Sequence, residues 1–306
     1  LVAAATLASS IATHAQSGAG LLEEILVTAQ KRQQQAIDVP IAIGTFSQRD
    51  IINTGALNLQ DIDAYIVGFD AGGESFTQQG YRIRGISSPN ISTGGDPSVA
   101  TFYDDAYLPR AATTVAFADI DRVEVLRGPQ GTLFGRNAAA GVVNMIPNAP
   151  SDTLEGFARI RAGNYNLMRL EGMINIPVSE TFSLRANALA NQRDGISENV
   201  EPAEFDAAEK GNWAGRVALR WVPSDATTLQ LAVDVDHFDQ SPSMALGVSP
   251  FSLNTNPFSG RYANDVIDGE ETRDMWGITG KWFHDLNEQW SMTAIANYRD
   301  FETSNR

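Results

Sequence analysis

The amino-acid sequence predicts an α+β domain followed by the first part of a transmembrane β-barrel, about seven antiparallel strands long. Three observations predict it. From residue 151 to residue 306 the chain runs in long segments with a hydrophobic period of two. Residues 36–150 instead mix short strand-like and helix-like pieces with many Gly and Asp turns. Short and long connections alternate between the long segments. A period of two is the signature of a pleated strand with two unlike faces.

The strands can be taken in order. Runs at 156–163 and 167–178 come first. In 182–191, Phe182, Leu184, Ala186, Ala188 and Ala190 alternate with Ser183, Arg185, Asn187, Leu189 and Asn191. In 213–221, Trp213, Gly215, Val217, Leu219 and Trp221 share one face, and Ala214, Arg216, Ala218 and Arg220 the other. In 229–236, Leu229, Leu231, Val233 and Val235 alternate with Gln230, Ala232, Asp234 and Asp236. Runs at 273–283 and 289–300 complete the set. A soluble sheet with one wet face alternates too, but two details favour a membrane. Arg and Asp stand in mid-strand on the polar face, as a water-filled or plugged lumen permits. Trp213 and Trp221 bracket the apolar face eight residues apart, roughly 20 Å in a tilted strand, close to the ~25 Å band between aromatic girdles. The short connections 177–180, 223–226 and 285–288 alternate with the long polar stretches 194–211 and 239–270, apart from a tight first turn at 163–166. Short periplasmic turns and long extracellular loops give this rhythm.

Composition excludes several function classes. Among 306 residues, 22 Lys and Arg face 37 Asp and Glu, a net charge of −15; nucleic acid demands clustered cations and is not an expected partner. The absence of Cys removes disulfides, thiolate metal sites and thiol nucleophiles. His14, His237 and His284 are too scattered for a metal or acid/base constellation. No Gly-x-Ser-x-Gly elbow occurs, and the tight acid pairs Asp104-Asp105 and Asp234/Asp236 read as turn chemistry and a polar lumen face. No enzyme, cofactor or bound metal is expected. Residues 1–15, LVAAATLASSIATHA, have the small apolar character of a secretory h-region, without an initiator Met or basic n-region, so a truncated leader is expected. No later stretch reaches ~18 apolar residues, the length of a transmembrane helix.

The string Asp121-Arg122-Val123-Glu124-Val125-Leu126-Arg127-Gly128-Pro129-Gln130-Gly131-Thr132-Leu133-Phe134-Gly135-Arg136-Asn137 carries the most specific signal. It resembles the plug signature of TonB-dependent outer-membrane receptors. The resemblance extends to residues 38–43, to Tyr81-Arg82-Ile83-Arg84-Gly85-Ile86, to 95–99, to Tyr103-Asp104-Asp105-Ala106-Tyr107, and to Gly141-Val142-Val143-Asn144-Met145-Ile146. Pro147-Asn148-Ala149-Pro150 departs from the Thr and basic residues that usually follow. Glu23-Glu24-Ile25-Leu26-Val27-Thr28-Ala29 resembles the TonB box, a β-prone segment able to add as a strand to a partner's sheet edge.

The resemblance implies a signal remnant at 1–15, a flexible segment with the box at 16–35, a plug at 36–150 and a partial barrel at 151–306. Val123, Val125 and Leu126 are expected to pack inward, while Arg122, Glu124 and Arg127 form a latch to acidic groups of the barrel wall. Gly128, Gly131 and Gly135 mark turns; without a following Lys they are not a phosphate loop. Plug tips around 87–95 and 107–113 are expected to help bind ligand, with Ser87, Ser88, Asn90, Tyr107 and Arg110 as candidates. The acidic stretch 194–211 disfavours a strongly anionic ligand. About seven residues between the expected cut and the box leave no room for a signalling domain there. The implied function is active uptake across the Gram-negative outer membrane, with TonB and its inner-membrane energising complex as partner, outer-membrane lipid around the wall, and a ferric siderophore or similar iron complex as cargo. Cobalamin or an oligosaccharide is the alternative cargo, and a passive porin the alternative class. The expected wall is unfinished, since enclosing a plug takes ~22 strands, and seven strands would not make a working transporter alone.

Overall fold

The computed structural model describes residues 26–28, 31, 34–72, 79–88, 95–195, 198–199, 210–241, 261–262 and 270–305. The chain divides into a unit Leu1–Val39 and a unit Pro40–Arg306. In the first, β1 (Leu26–Val27) pairs antiparallel with β2 (Gln34–Gln35), Leu26 opposite Gln35. The expected leader at 1–15 lies outside the described residues.

The second unit opens with β3 (Ala42–Ser47) and α1 (Gln48–Thr54). Ser47 caps α1: its Oγ accepts from the Asp50 amide at 3.2 Å, and the Asp50 carboxylate accepts from the Ser47 amide at 3.0 Å. Gly55 closes the helix at φ 74°. A 3-10 turn, Leu59–Tyr65, leads to β4 (Phe69–Asp70), which pairs with β5 (Arg82–Ile83). Then come β6 (Val99–Tyr103), β7 (Ala106–Leu108), β8 (Ile120–Arg127), the single-turn α2 (Gly131–Phe134) and β9 (Gly141–Pro147). The sheet order is β3-β8-β9-β6-β7, with only β6 and β9 parallel. Its core holds Phe46, Ile62, Ile83, Val125, Val143 and Met145. Val123, Val125 and Leu126 are fully buried, as the pattern required. Gly131 opens α2 instead of marking a turn, whereas Gly128 and Gly135 do take positive φ.

Seven strands follow as an antiparallel sheet in chain order: β10 (Glu155–Ala162), β11 (Met168–Ser179), β12 (Phe182–Arg193), β14 (Lys210–Ser224), β15 (Thr227–Gln240), β17 (Glu271–Asn287) and β18 (Trp290–Asn305). Two short pieces, β13 (Glu198–Asn199) and β16 (Arg261–Tyr262), pair in parallel outside that sheet. The wall strands number seven, as the alternation predicts, but run longer. Pairing continues through the expected turns by a register shift at Pro177/Ser179, Trp221/Ser224 and Asp285/Asn287. The long stretches 194–211 and 239–270 fall largely outside the described residues.

Alternation splits the wall into two faces. Trp213, Val217, Trp221, Leu231, Val233, Val235, Trp276, Ile278 and Trp282 are exposed on one. Trp213 stacks on His237 (5.6 Å) and Trp282 on His284 (5.7 Å), making two aromatic levels on the apolar face. The other face is buried against the plug, with Leu189, Ala214 and Phe238 packed on Leu57, Ala116 and Ala118, and Met275 in the plug's own core.

One plug position is closed to any side chain. A Cβ on Gly141 would collide with the Leu126 carbonyl oxygen and lie 2.6 Å from Ile83 Cδ1. Gly141→Ala is therefore expected to destabilise the plug by about 1–3 kcal/mol, read as faster trypsin cleavage of the plug with the wall still intact.

Candidate functional site

Plug and wall meet along a seam of buried charges. The hairpin joining β6 to β7 turns on Asp104 and Asp105, both at positive φ (50° and 67°), the pattern of a type I′ turn. That turn drives both carboxylates into the wall. Asp104 accepts from Arg216 Nη2 on β14 and from Lys281 Nζ on β17, each at 2.6 Å. Lys281 also reaches Asp105 at 2.6 Å. Burial opposes ionisation of Asp104, but Arg216 and Lys281 outweigh it and hold its pKa below the ordinary 3.8.

A second anchor lies at Asp119, just before β8 and again at positive φ. Arg185 on β12 binds it through two nitrogens, at 2.6 and 2.8 Å, the fork geometry that favours Arg over Lys. Asn148 steadies the same carboxylate at 2.9 Å, so the departure at 147–150 supplies a linker that holds the anchor.

The third lies further along the wall. Asp236 on β15 accepts from the Ala116 amide at 3.2 Å and from Arg273, which also donates to the Thr114 carbonyl. Arg273 is fully buried, its guanidinium 4.8 Å from the centre of the Phe238 ring. Within the wall, Arg299 on β18 reaches across β17 to Asp234 on β15, at 2.6 and 3.0 Å. The crossing is possible because residue 277 is Gly: a Cβ there would sit 2.7 Å from the Arg299 guanidinium carbon. Arg299 also lies 5.3 Å over the ring of Tyr103, whose hydroxyl pKa burial raises. Arg161 and Arg169 complete the seam, donating to the Ile52 and Gly55 carbonyls at 2.8 and 3.0 Å.

The predicted residues take varied places. Of the box, Leu26, Val27 and Thr28 are described; Glu23, Glu24, Ile25 and Ala29 lie outside the described residues. Arg122 bonds Glu124 at 2.8 Å and pairs with Asp121, and Arg127 donates to the Val67 carbonyl at 3.0 Å, so these bonds run inside the plug. At Asp104, Asp105 and Asp119 plug carboxylates meet wall cations, the opposite polarity to that expected, whereas at Asp236 a wall carboxylate accepts from a plug amide. Ser87 and Ser88 are half-buried after β5, and Asn90 lies outside the described residues. Tyr107 accepts from Asn137 at 2.9 Å. Arg110 is buried and donates to the Gln79 carbonyl at 3.3 Å, a brace within the plug. The one sequence signal for the seam was Arg and Asp on a single face of each strand, together with the Asp-Asp turn.

A plug domain anchored by ion pairs to a sheet with one lumen face and one apolar face defines a plugged β-barrel of the outer membrane. Residues 35–142 match the TonB-dependent receptor plug domain, so this part of the chain is a plug domain of that kind. The chain is 25% identical over 169 residues to the ferripyoverdine receptor of Pseudomonas aeruginosa, covering 55% of this chain and 20% of that protein. It is 22% identical over 275 residues to the ferrioxamine receptor of Yersinia enterocolitica, covering 86% and 36%. The fold matches the ferric yersiniabactin uptake receptor of Yersinia pestis with a TM-score of 0.77 at 19% identity, over 87% of this chain and 41% of that one. The chain thus spans less than half the length of these relatives.

Removing one partner from a buried ion cluster leaves the others uncompensated, typically at 3–5 kcal/mol. Asp104→Asn is expected to cost about that much, measured as a lower urea midpoint for release of the plug. The pH dependence follows in sign. The folded pKa of Asp104 lies below its unfolded value, so its contribution is complete above about pH 4 and is lost as pH falls through the folded pKa. Asp104→Asn should therefore flatten the loss of stability between neutral and acidic pH.

Proposed function

We propose that the chain forms the plug and opening wall strands of an importer that takes up a scarce ligand across the Gram-negative outer membrane. TonB and its inner-membrane energising complex drive it, and a ferric siderophore or similar iron complex is its cargo. The protein performs no covalent chemistry. The observation that carries this reading is the charged seam: a plug held through Asp104, Asp119 and Asp236 needs work to move, and a passive porin has no use for such a seal. The names of the relatives support the cargo, since ferripyoverdine, ferrioxamine and ferric yersiniabactin are all iron complexes. The cis pairing of Leu26–Val27 with Gln34–Gln35 supports the coupling, because a segment already strand-shaped can exchange one strand partner for another.

Deleting residues 23–29 from the intact receptor tests this. Growth on ferric siderophore under iron limitation should be abolished while surface binding of the complex is unchanged. Retained uptake would point to a porin. Rescue by cobalamin or an oligosaccharide, and by no iron complex, would leave the machinery standing and replace the cargo.

A further inference from the structure

We propose that the cavity beside the Asp104 anchor holds ordered water, and that the Asp104 carboxylate moves into it when the plug is drawn toward the short turns. The inference rests on the uptake reading and deepens it, since it says how a buried ion cluster is undone without stranding a bare charge. The cavity has a volume of about 130 Å³ and lies between the linker at 147–150 and wall strands β14, β15 and β17. That is room for several waters, each needing on the order of 30 Å³.

Small side chains build the hollow. Ala218 stands opposite Ala232, and Ala232 opposite Thr279, so one inward row crosses three strands without a large group. Pro147, Ala149 and Pro150 line the plug side and carry no long side chain either. The linker cannot sink into the space, because it is pinned at both ends. Asn148 donates to the Asp119 carboxylate at 2.9 Å. The Ser151 amide donates to Asn175 Oδ1, and Asn175 Nδ2 to the Ser151 carbonyl, each at 3.0 Å.

The lining has hydrogen bonds to offer. Thr279 is 1% exposed, and its hydroxyl has no hydrogen-bond partner among the described residues. Arg216 Nε is buried and unmatched in the same way. Lys281 gives one donor to Asp104 and one to Asp105, which leaves a third. A buried hydroxyl left unmatched is unfavourable, and a water in the cavity satisfies it. The charges of the adjoining anchor balance, Arg216 and Lys281 against Asp104 and Asp105. The site therefore suits a neutral ligand and not an ion.

Position gives this water a task. The row of Arg216 and Asp234 lies on one side of Ala218 and Ala232. The row of Arg220 and Gln230 lies on the other, nearer the turn between Ser224 and Thr227. The cavity, lined by both Arg216 and Gln230, thus runs from the anchor toward the short turns. Under the uptake reading those turns are periplasmic, and the pull comes from that side. Drawn that way, the Asp104 carboxylate leaves Arg216, keeps Lys281 beside it and enters water. A dry apolar space would give it no solvation in exchange for the lost arginine.

Crystals of the intact receptor test the site directly. Ordered water bonded to Thr279 Oγ is expected, and none of the xenon that enters dry apolar cavities under pressure. In Thr279→Val, which keeps the shape and removes the hydroxyl, that water should be lost. Ala232→Leu fills the space. Its urea midpoint for plug release should be no lower than that of the unaltered receptor, and surface binding of ferric siderophore unchanged. Energised uptake should nonetheless slow at least about tenfold. Val233→Leu, on the lipid face of the same strand, controls for added bulk and should transport normally. Xenon in the cavity, or bromide there in crystals soaked with bromide, overturns the proposal. So does an unaltered uptake rate in Ala232→Leu with the cavity seen to be filled. If Ala232→Leu does not fold, Thr279→Val decides, and water unmoved in that variant overturns the site. Deletion of residues 23–29 should leave the water in place, so failure of energised uptake and failure of the water site are separately visible.

Discussion

The cost of enclosing charge organises this structure. A plug surface with carboxylates, placed inside a wall that faces lipid, must find a cation for each of them or lose several kcal/mol per group. The plug's Asp104 and Asp119 each meet a wall arginine, the wall's own Asp236 meets Arg273, and local backbone choices follow from that need. Positive φ at Asp104, Asp105 and Asp119 aims side chains that an ordinary strand would point elsewhere. Gly277 clears a lane so that Arg299 passes over β17 to Asp234. Apolar packing of Leu57, Ala116 and Ala118 on Leu189, Ala214 and Phe238 fills the space between the ionic contacts and keeps the local dielectric low.

Much of the fold was legible because strand periodicity is local. In 229–236 each inward residue foreseen is inward, and Asp234 and Asp236 are buried while Leu231, Val233 and Val235 are exposed. Strand ends were harder to read, since Pro177 and Ser224 look like turn residues, yet a register shift lets pairing run on past them. Partner identity was not legible at all. Periodicity names the face of Arg216 but not Asp104, which lies 112 residues away. The same limit explains Arg122, Glu124 and Arg127. Their string marks the plug correctly, and the bonds described for them, Arg122 to Glu124 and Arg127 to the Val67 carbonyl, lie within the plug itself. Asp104-Asp105 was read as a turn, and it is one; its second role in the seam needed the wall in place.

The box segment is balanced differently. Two residues per strand give β1 and β2 little intrinsic stability, since even a full isolated hairpin is marginal in water. Such a pair keeps backbone groups satisfied while leaving the segment easily won by a longer sheet edge. In the other unit, the core strand β8 is buried along most of its eight residues.

The two aromatic levels have a bearing on the plug as well as on the wall. Arg273 neighbours Asp274, which pairs with His237 beneath Trp213, and Lys281 neighbours Trp282. On β17 the seam residues Arg273 and Lys281 therefore each stand beside one of the two aromatic levels. Interfacial Trp residues hold a wall at a set depth in the bilayer. Through β17 the membrane thus acts as a ruler for the plug: lipid thickness outside sets the height at which the stopper rests within.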